Sequence, residues 1–150
     1  MVRSLIGLLL LAGPFAVPLS GQGAARVDPR LEQLVQAYIG LYTRDSFEIW
    51  IQLFRPEFTA LSTNADGSVT SRTLDQFLEA QRRGFLRAKE MREELENVRI
   101  EQRDRLASIW ADFVFHYDGA ASRGKLVLLA IADTVGWKFS ALQFAYDREK

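Results

Sequence analysis

Leu31, Leu34, Val35, Tyr38, Leu41 and Tyr42 recur at intervals of three and four, the spacing of one helical stripe turned toward a core. Asp28-Pro29 ahead of them supplies an N-cap and a proline at the first helical position. Asp45 and Glu48 read as a capping box opening a shorter helix, Phe47 to Phe54, which Pro56 stops. Phe58 to Thr63 alternates as a strand, Asn64 to Ser68 is turn chemistry, and Val69-Thr70 pairs back briefly. Thr73 caps a third helix carrying Leu74, Phe77, Leu78 and Phe85.

Residues 82–105 obscure the pattern, because 14 of 24 are charged, 8 basic and 6 acidic. Mixed signs read as a solvated face rather than a phosphate-binding patch. Met91, Leu95 and Val98 keep helical spacing, whereas Val98 and Ile100 suggest a strand. The reading adopted is helix or loop to about Glu94, a strand to about Arg103 and a turn at Asp104, with helix against strand open for 86–98. Beyond it, Leu106 to Tyr117, Lys125 to Ala132 and Trp137 to Tyr146 are strands. A turn at Asp118-Gly119, a loop over Ala120 to Gly124 and a turn at Asp133 to Gly136 separate them. Three helices followed mainly by an antiparallel meander predict an α+β fold, with three N-terminal helices on the concave face of a curved antiparallel sheet.

Composition narrows the chemistry. Lys+Arg and Asp+Glu are both 19, so no basic excess points to nucleic acid or an anionic membrane. With no cysteine and one histidine, disulfides, thiolate chemistry and multi-histidine metal sites are excluded within one chain. Nucleophile elbows, phosphate loops and carboxylate metal motifs are absent, so no metal and no cofactor are expected. Arg3, the apolar run from Leu5 and the small residues Ser20 to Ala25 have the plan of a secretory signal. The alternative, a membrane anchor, needs roughly 20 apolar residues and tolerates Pro14 and Pro18 poorly. The expectation is residues 1–25 as a leader cut near Gly23 or Ala25, and 26–150 as one exported domain.

The order of these pieces resembles the nuclear transport factor 2-like superfamily, the cone fold of ketosteroid isomerase and the SnoaL-like cyclases. The resemblance rests on Leu34-Val35-Gln36-Ala37-Tyr38 and Leu53-Phe54-Arg55-Pro56-Glu57-Phe58-Thr59. It rests equally on Phe113-Val114-Phe115-His116-Tyr117-Asp118-Gly119 and Gly136-Trp137-Lys138-Phe139. It covers residues 28 to 147. The isomerase pattern implies a tyrosine donor, a carboxylate base and a protonated acid. A gapless alignment places Tyr38, Ser62 and Leu128 at those positions. Serine at its ordinary pKa cannot take an α-proton, and leucine donates nothing, so that chemistry is not expected.

Period-2 alternation turns Ile109, Ala111, Phe113, Phe115 and Tyr117 toward the interior and Trp110, Asp112, Val114, His116 and Asp118 outward. Asp112 and His116, four apart on a strand, lie on the order of 13 Å from each other and form no direct pair. Tyr38, Asp112 and His116 are the candidate catalytic residues. An interior pocket for a small apolar ligand would be lined by Tyr38, Ser62, Phe113, Phe115, Tyr117, Trp137 and Gln143. The first functional expectation is an exported binding or interaction module. The alternative is a cyclase, dehydratase or isomerase using Tyr38 and an acid such as Asp112. Trp110, Val114, Val127, Leu129, Ile131, Leu142 and Phe144 read as one outward apolar patch, which predicts a homodimer, sheet against sheet.

Overall fold

The computed structural model describes residues 26–64 and 66–148; the apolar leader and its cut sites at Gly23 and Ala25 lie outside them. Chain order is α1 (Pro29–Gly40), α2 (Phe47–Trp50), a single 3₁₀ turn (Ile51–Leu53), β1 (Phe54–Thr63), β2 (Val69–Thr73), α3 (Leu74–Arg87), β3 (Met91–Arg103), β4 (Leu106–Tyr117), β5 (Ala120–Ala132) and β6 (Trp137–Tyr146). Among the described residues no helix is long and apolar enough to cross a membrane.

Capping chemistry sets the helix starts. The Asp28 carboxylate accepts from the Arg30 amide with Pro29 in the first turn of α1, and Thr73 and Gln76 form a full capping box on α3. The box expected of Asp45 and Glu48 is absent. The N-cap of α2 falls one residue later, on Ser46, whose side chain makes no capping bond, and this leaves Asp45 outside the helix. At the other end of α3 the Arg44 guanidinium donates to the carbonyls of Phe85 and Ala88, satisfying groups the helix leaves open.

Six strands form one curved, unclosed sheet in the order β2-β1-β6-β5-β4-β3, with the helices on its concave side. The α+β layout is the one expected. The sheet, however, is mixed: β3 to β6 make an antiparallel meander, but β1 joins β6 in parallel. Pro56, which has no amide hydrogen, sits where the β1–β6 register is interrupted between Phe54 and Thr59.

Three sequence expectations need correction. First, β3 begins at Met91, so residues 91–94 are strand. Second, Asp118 and Gly119 both have positive φ, 48° and 85°, and make a two-residue hairpin turn. Ala120 to Gly124 are therefore the start of β5 rather than a loop. Third, β6 carries one extra residue, Ser140, since Leu129 faces Ala141 while Ala130 faces Phe139. One inserted residue reverses every later side chain. Trp137 and Phe139 point inward as expected. Beyond the bulge Leu142 and Phe144 turn inward, Leu142 being buried, and Gln143 is exposed on the outside. Leu142 and Phe144 therefore leave the outward patch. Val114, between Glu94 and Arg123 on the neighbouring strands, is buried at 3% exposure. Trp110, Val127, Leu129 and Ile131 remain on the outer face, with Trp110 and Leu129 exposed.

A second bulge lies in β3. Glu96 faces Asp112 and Arg99 faces Trp110, so Asn97 and Val98 together oppose one residue, with Asn97 at φ 53°. Before it the inward residues are Met91, Glu93 and Leu95; after it they are Ile100 and Gln102. The outward residues Arg92, Glu94, Glu96, Glu101 and Arg103 are exposed, as a solvated face should be, and they charge an edge strand that would otherwise invite further pairing.

Close packing at one point gives a sharp test. A Cβ on Gly124 would lie 2.2 Å from the Ala145 carbonyl oxygen and 2.5 Å from two carbons of the Phe113 ring. The oxygen belongs to the β6 backbone, which can give way only by disturbing the β5–β6 pairing. Gly124→Ala is expected to cost about 3 kcal/mol by urea denaturation; a change under about 1 kcal/mol would show that β5 and β6 separate easily there.

Candidate functional site

The open end of the cone holds a cavity of about 80 Å³, walled by the concave sheet and by the helices across it. Tyr38 comes from α1, Tyr42 from the turn after it, Trp50 from α2, and Phe77 and Gln81 from α3. Opposite stand Glu93 of β3, Phe113 and Phe115 of β4, Leu126 of β5, and Leu142, Phe144 and Tyr146 of β6. The contributions of β3 and β6 lie on the cavity side of the two bulges. Each bulge shifts the alternation so that one parity fills the closed end and the other lines the cavity, a use of bulges common beside sites.

Glu93 is the only acidic group among the described residues that lines this cavity. It faces Phe115 across the sheet, between inward Met91 and Leu95. The Tyr38 hydroxyl donates to its Oε2 at 3.3 Å, a long and weak bond. Burial pushes the Glu93 carboxyl up to about 7 from its ordinary 4.5, and the Tyr38 bond pulls back only part of that. Burial, then the neighbouring Glu93 charge, also drives the Tyr38 and Tyr42 hydroxyls well above the usual phenol range, so both stay protonated donors. The Tyr42 hydroxyl is bonded to Gln81 Oε1. Tyr38 is fixed from behind: the Trp50 indole donates to its carbonyl at 2.8 Å, and its ring packs against Trp50, Phe54 and Phe139.

Of the residues proposed from sequence, Tyr38, Phe113 and Phe115 meet in this cavity. Ser62 is buried and points inward on β1 but does not line it. Tyr117 lies on the Phe115 face, its ring 6.4 Å from that of Phe115, outside the cavity wall. Trp137 is at the far end of β6, where its indole donates to the Asp28 carboxylate at 3.0 Å. Gln143 faces outward, for the reason given by the Ser140 bulge. Asp112 and His116 are on the opposite side of the sheet from Glu93. Asp112 is held below the usual carboxylate range by Lys125, 2.8 Å away, and by Asn97. The two His116 nitrogens lie 3.3 Å from Arg92 Nη2 and 3.4 Å from Glu94 Oε1. Leu128, at the second-acid position of the isomerase pattern, is fully buried core. Among the described residues no three His, Asp or Glu side chains gather as they would around a metal ion.

Glu93 escaped the sequence reading, as did Tyr42, Gln81 and Tyr146. A signal for Glu93 was present in Met91-Arg92-Glu93-Glu94-Leu95: an acid between two apolar residues at strand spacing, with its charged neighbours on the other parity.

No protein-family model matches the sequence, and no curated protein matches it. Solved structures match it in shape. A candidate dehydratase of the nuclear transport factor 2-like family from Streptomyces avermitilis superposes with a TM-score of 0.66 at 12% identity, over 81% of this chain and 96% of that one. An uncharacterised cystatin-like-fold protein from Caulobacter vibrioides gives 0.63 at 20% identity, over 79% and 87%. Bd1075 of Bdellovibrio bacteriovorus gives 0.67 at 11% identity; 81% of this chain is covered, but the chain spans only 41% of that protein. The fold is the nuclear transport factor 2-like, or cystatin-like, cone.

Proposed function

We propose that the open end of the cone is a small-molecule site for proton transfer of the isomerase or dehydratase type, with Glu93 as the acid–base group and Tyr38 as the hydrogen-bond donor. The acid of this reading is Glu93 in place of Asp112, which faces the other side of the sheet and is paired with Lys125. One observation carries it: a buried carboxylate, raised to about 7, sits 3.3 Å from a tyrosine hydroxyl inside an aromatic cavity. A group that titrates near neutrality is populated in both forms there, so it can take a proton and return it. The apolar walls that raise Glu93 also strip water from its carboxylate. Tyr38, kept protonated, donates to the substrate oxygen on which negative charge develops as Glu93 removes an adjacent carbon-bound proton. The candidate dehydratase among the fold neighbours is consistent with such chemistry, though a shared fold does not carry a shared reaction. The leader read from the sequence supports a site of action outside the cytoplasm.

Binding without chemistry is the second reading, favoured by the cavity's size. At about 80 Å³ the cavity admits only a small molecule, or part of a larger one. Deuterium incorporation at the α-carbon of acetone and cyclopentanone in D₂O separates the two. Proton transfer predicts exchange faster than in buffer, reduced roughly 100-fold or more by Glu93→Gln. Exchange no faster than in buffer, or untouched by that substitution, would leave the binding reading in its place.

A further inference from the structure

Phe113, Phe144 and Tyr146 line the cavity with their ring planes crossing pairwise at 84°, 77° and 85° and their centroids 6.1, 5.4 and 5.8 Å apart. Three rings in three nearly perpendicular planes make a corner. The face of an aromatic ring carries the negative side of its quadrupole, and such faces attract cations. Tyr38, Tyr42, Trp50, Phe77 and Phe115 extend the same aromatic surface. The Tyr38 hydroxyl is bonded to Glu93 and Phe115 is paired with it across the sheet, while Tyr42, Gln81 and Tyr146 line the same cavity, none of them positive. Among the described residues no Lys, Arg or His lines the cavity; Arg72 on β2 acts on the Tyr146 hydroxyl from outside it. Among the described residues Glu93 thus has no cationic partner in its desolvated surroundings, and such a group is costly to ionise unless something positive is brought to it.

We infer that this cavity binds a small organic ammonium ion, its alkyl groups against the aromatic corner and its charge facing the Glu93 carboxylate. An anion would meet Glu93 with nothing to offset the repulsion, whereas an ammonium supplies the missing counter-charge. This ligand class goes beyond the proton-transfer reading and does not depend on it. Tetramethylammonium is the fitting probe, because its charge is the same at every pH, so that any pH dependence of binding belongs to the protein. Its neutral counterpart of similar shape is tert-butanol.

Binding is read by NMR, from the Trp50 indole resonance and the Glu93 carboxyl carbon of the full chain. Tetramethylammonium is expected to saturate both signals and to bind about thirtyfold more tightly at pH 8.5 than at pH 5.5, following ionisation of a carboxyl that titrates near 7. Glu93→Gln should weaken binding at pH 8.5 at least tenfold and abolish the pH dependence. Tyr146→Leu, at a position 44% exposed and so tolerant of change, should weaken binding while Glu93 still titrates. Equal binding of tert-butanol, pH-independent binding by the unaltered chain, full affinity in Glu93→Gln, or no saturation at 50 mM probe would each overturn the assignment. Ketone exchange plays no part in these readouts, so either proposal can fail while the other stands.

Discussion

Raising the pH from 4.5 to 8 is expected to lower the stability of the chain by about 3 kcal/mol, nearly all of it before pH 7.5. The sign follows from proton counts. Glu93 titrates at its ordinary 4.5 when unfolded and at about 7 when folded. Between those values the folded state holds a proton that the unfolded state has released, so stability falls as pH rises; above about 7 both forms are ionised and the curve is flat. A separation of some 2.5 pH units at about 1.36 kcal/mol each gives the size. Below pH 4 the trend reverses. Asp112, held low by Lys125, and Asp133, held low by the Val135 amide and Arg55, lose favourable contacts as they protonate. Stability should therefore peak at about pH 4.5, an unusual place for a near-neutral protein. Glu93→Gln should flatten the slope between pH 5 and 8 and leave the variant more stable than the parent at pH 8. Urea midpoints across this range check both statements; a parent whose midpoint stays level from pH 5 to 7.5 would show that Glu93 is solvated.

Trp50→Ala should cost about 4 kcal/mol, near the top of the range for one core residue. Trp50 is fully buried, with the rings of Tyr38, Tyr42, Phe47, Phe54 and Phe77 centred 4.6 to 6.0 Å from its own. Truncation removes the side chain at the centre of that cluster and leaves the Tyr38 carbonyl without its indole donor. The loss should reach the site, since Tyr38 loses its support from behind and the cavity loses a wall. Trp50→Phe keeps most of the packing and should cost about half as much. Thermal and urea unfolding measure both; a loss under about 1.5 kcal/mol for the alanine variant would mean that the cluster closes over the gap.

What could be read from the sequence, and what could not, divides at the bulges. Along β4 the alternation runs unbroken, so residue types alone turn Ile109, Ala111 and Phe113 inward, and all three are buried. Tyr38 is legible because α1 keeps one phase throughout and its N-cap is chemically distinctive. On β6 a strict step of two from Trp137 and Phe139 inverts every residue after the bulge; the step of three from Phe139 to Leu142 is the sign of the extra residue, and it is easily passed over because Ser140 and Ala141 between them are small. On β3 the phase change at Asn97-Val98 made a strand look like a helix, since residues from both sides of a bulge combine into spacings of three and four. Glu93 was hidden by company rather than by type. Among 14 charges in 24 residues, an acid that turns inward has the same letter as those that turn outward; only the three-dimensional register separates them.

The parallel pairing of β1 with β6 also says when the site comes into being. The partners in that pair, Leu61 with Gln143 and Thr63 with Ala145, are roughly 80 residues apart in the chain, whereas β3 to β6 fold back on one another through short turns. Contacts between distant residues carry the larger loop-closure cost and form late. On a ribosome that adds about 5 to 20 residues per second, Tyr38 and Trp50 emerge several seconds before Phe144 and Tyr146. During that interval the aromatic cluster of the helices lacks β6, the strand that joins β1 and β2 to the rest of the sheet. The segments made first are thus a sticky, unfinished surface, and the cavity closes around Glu93 only once β6 has been made.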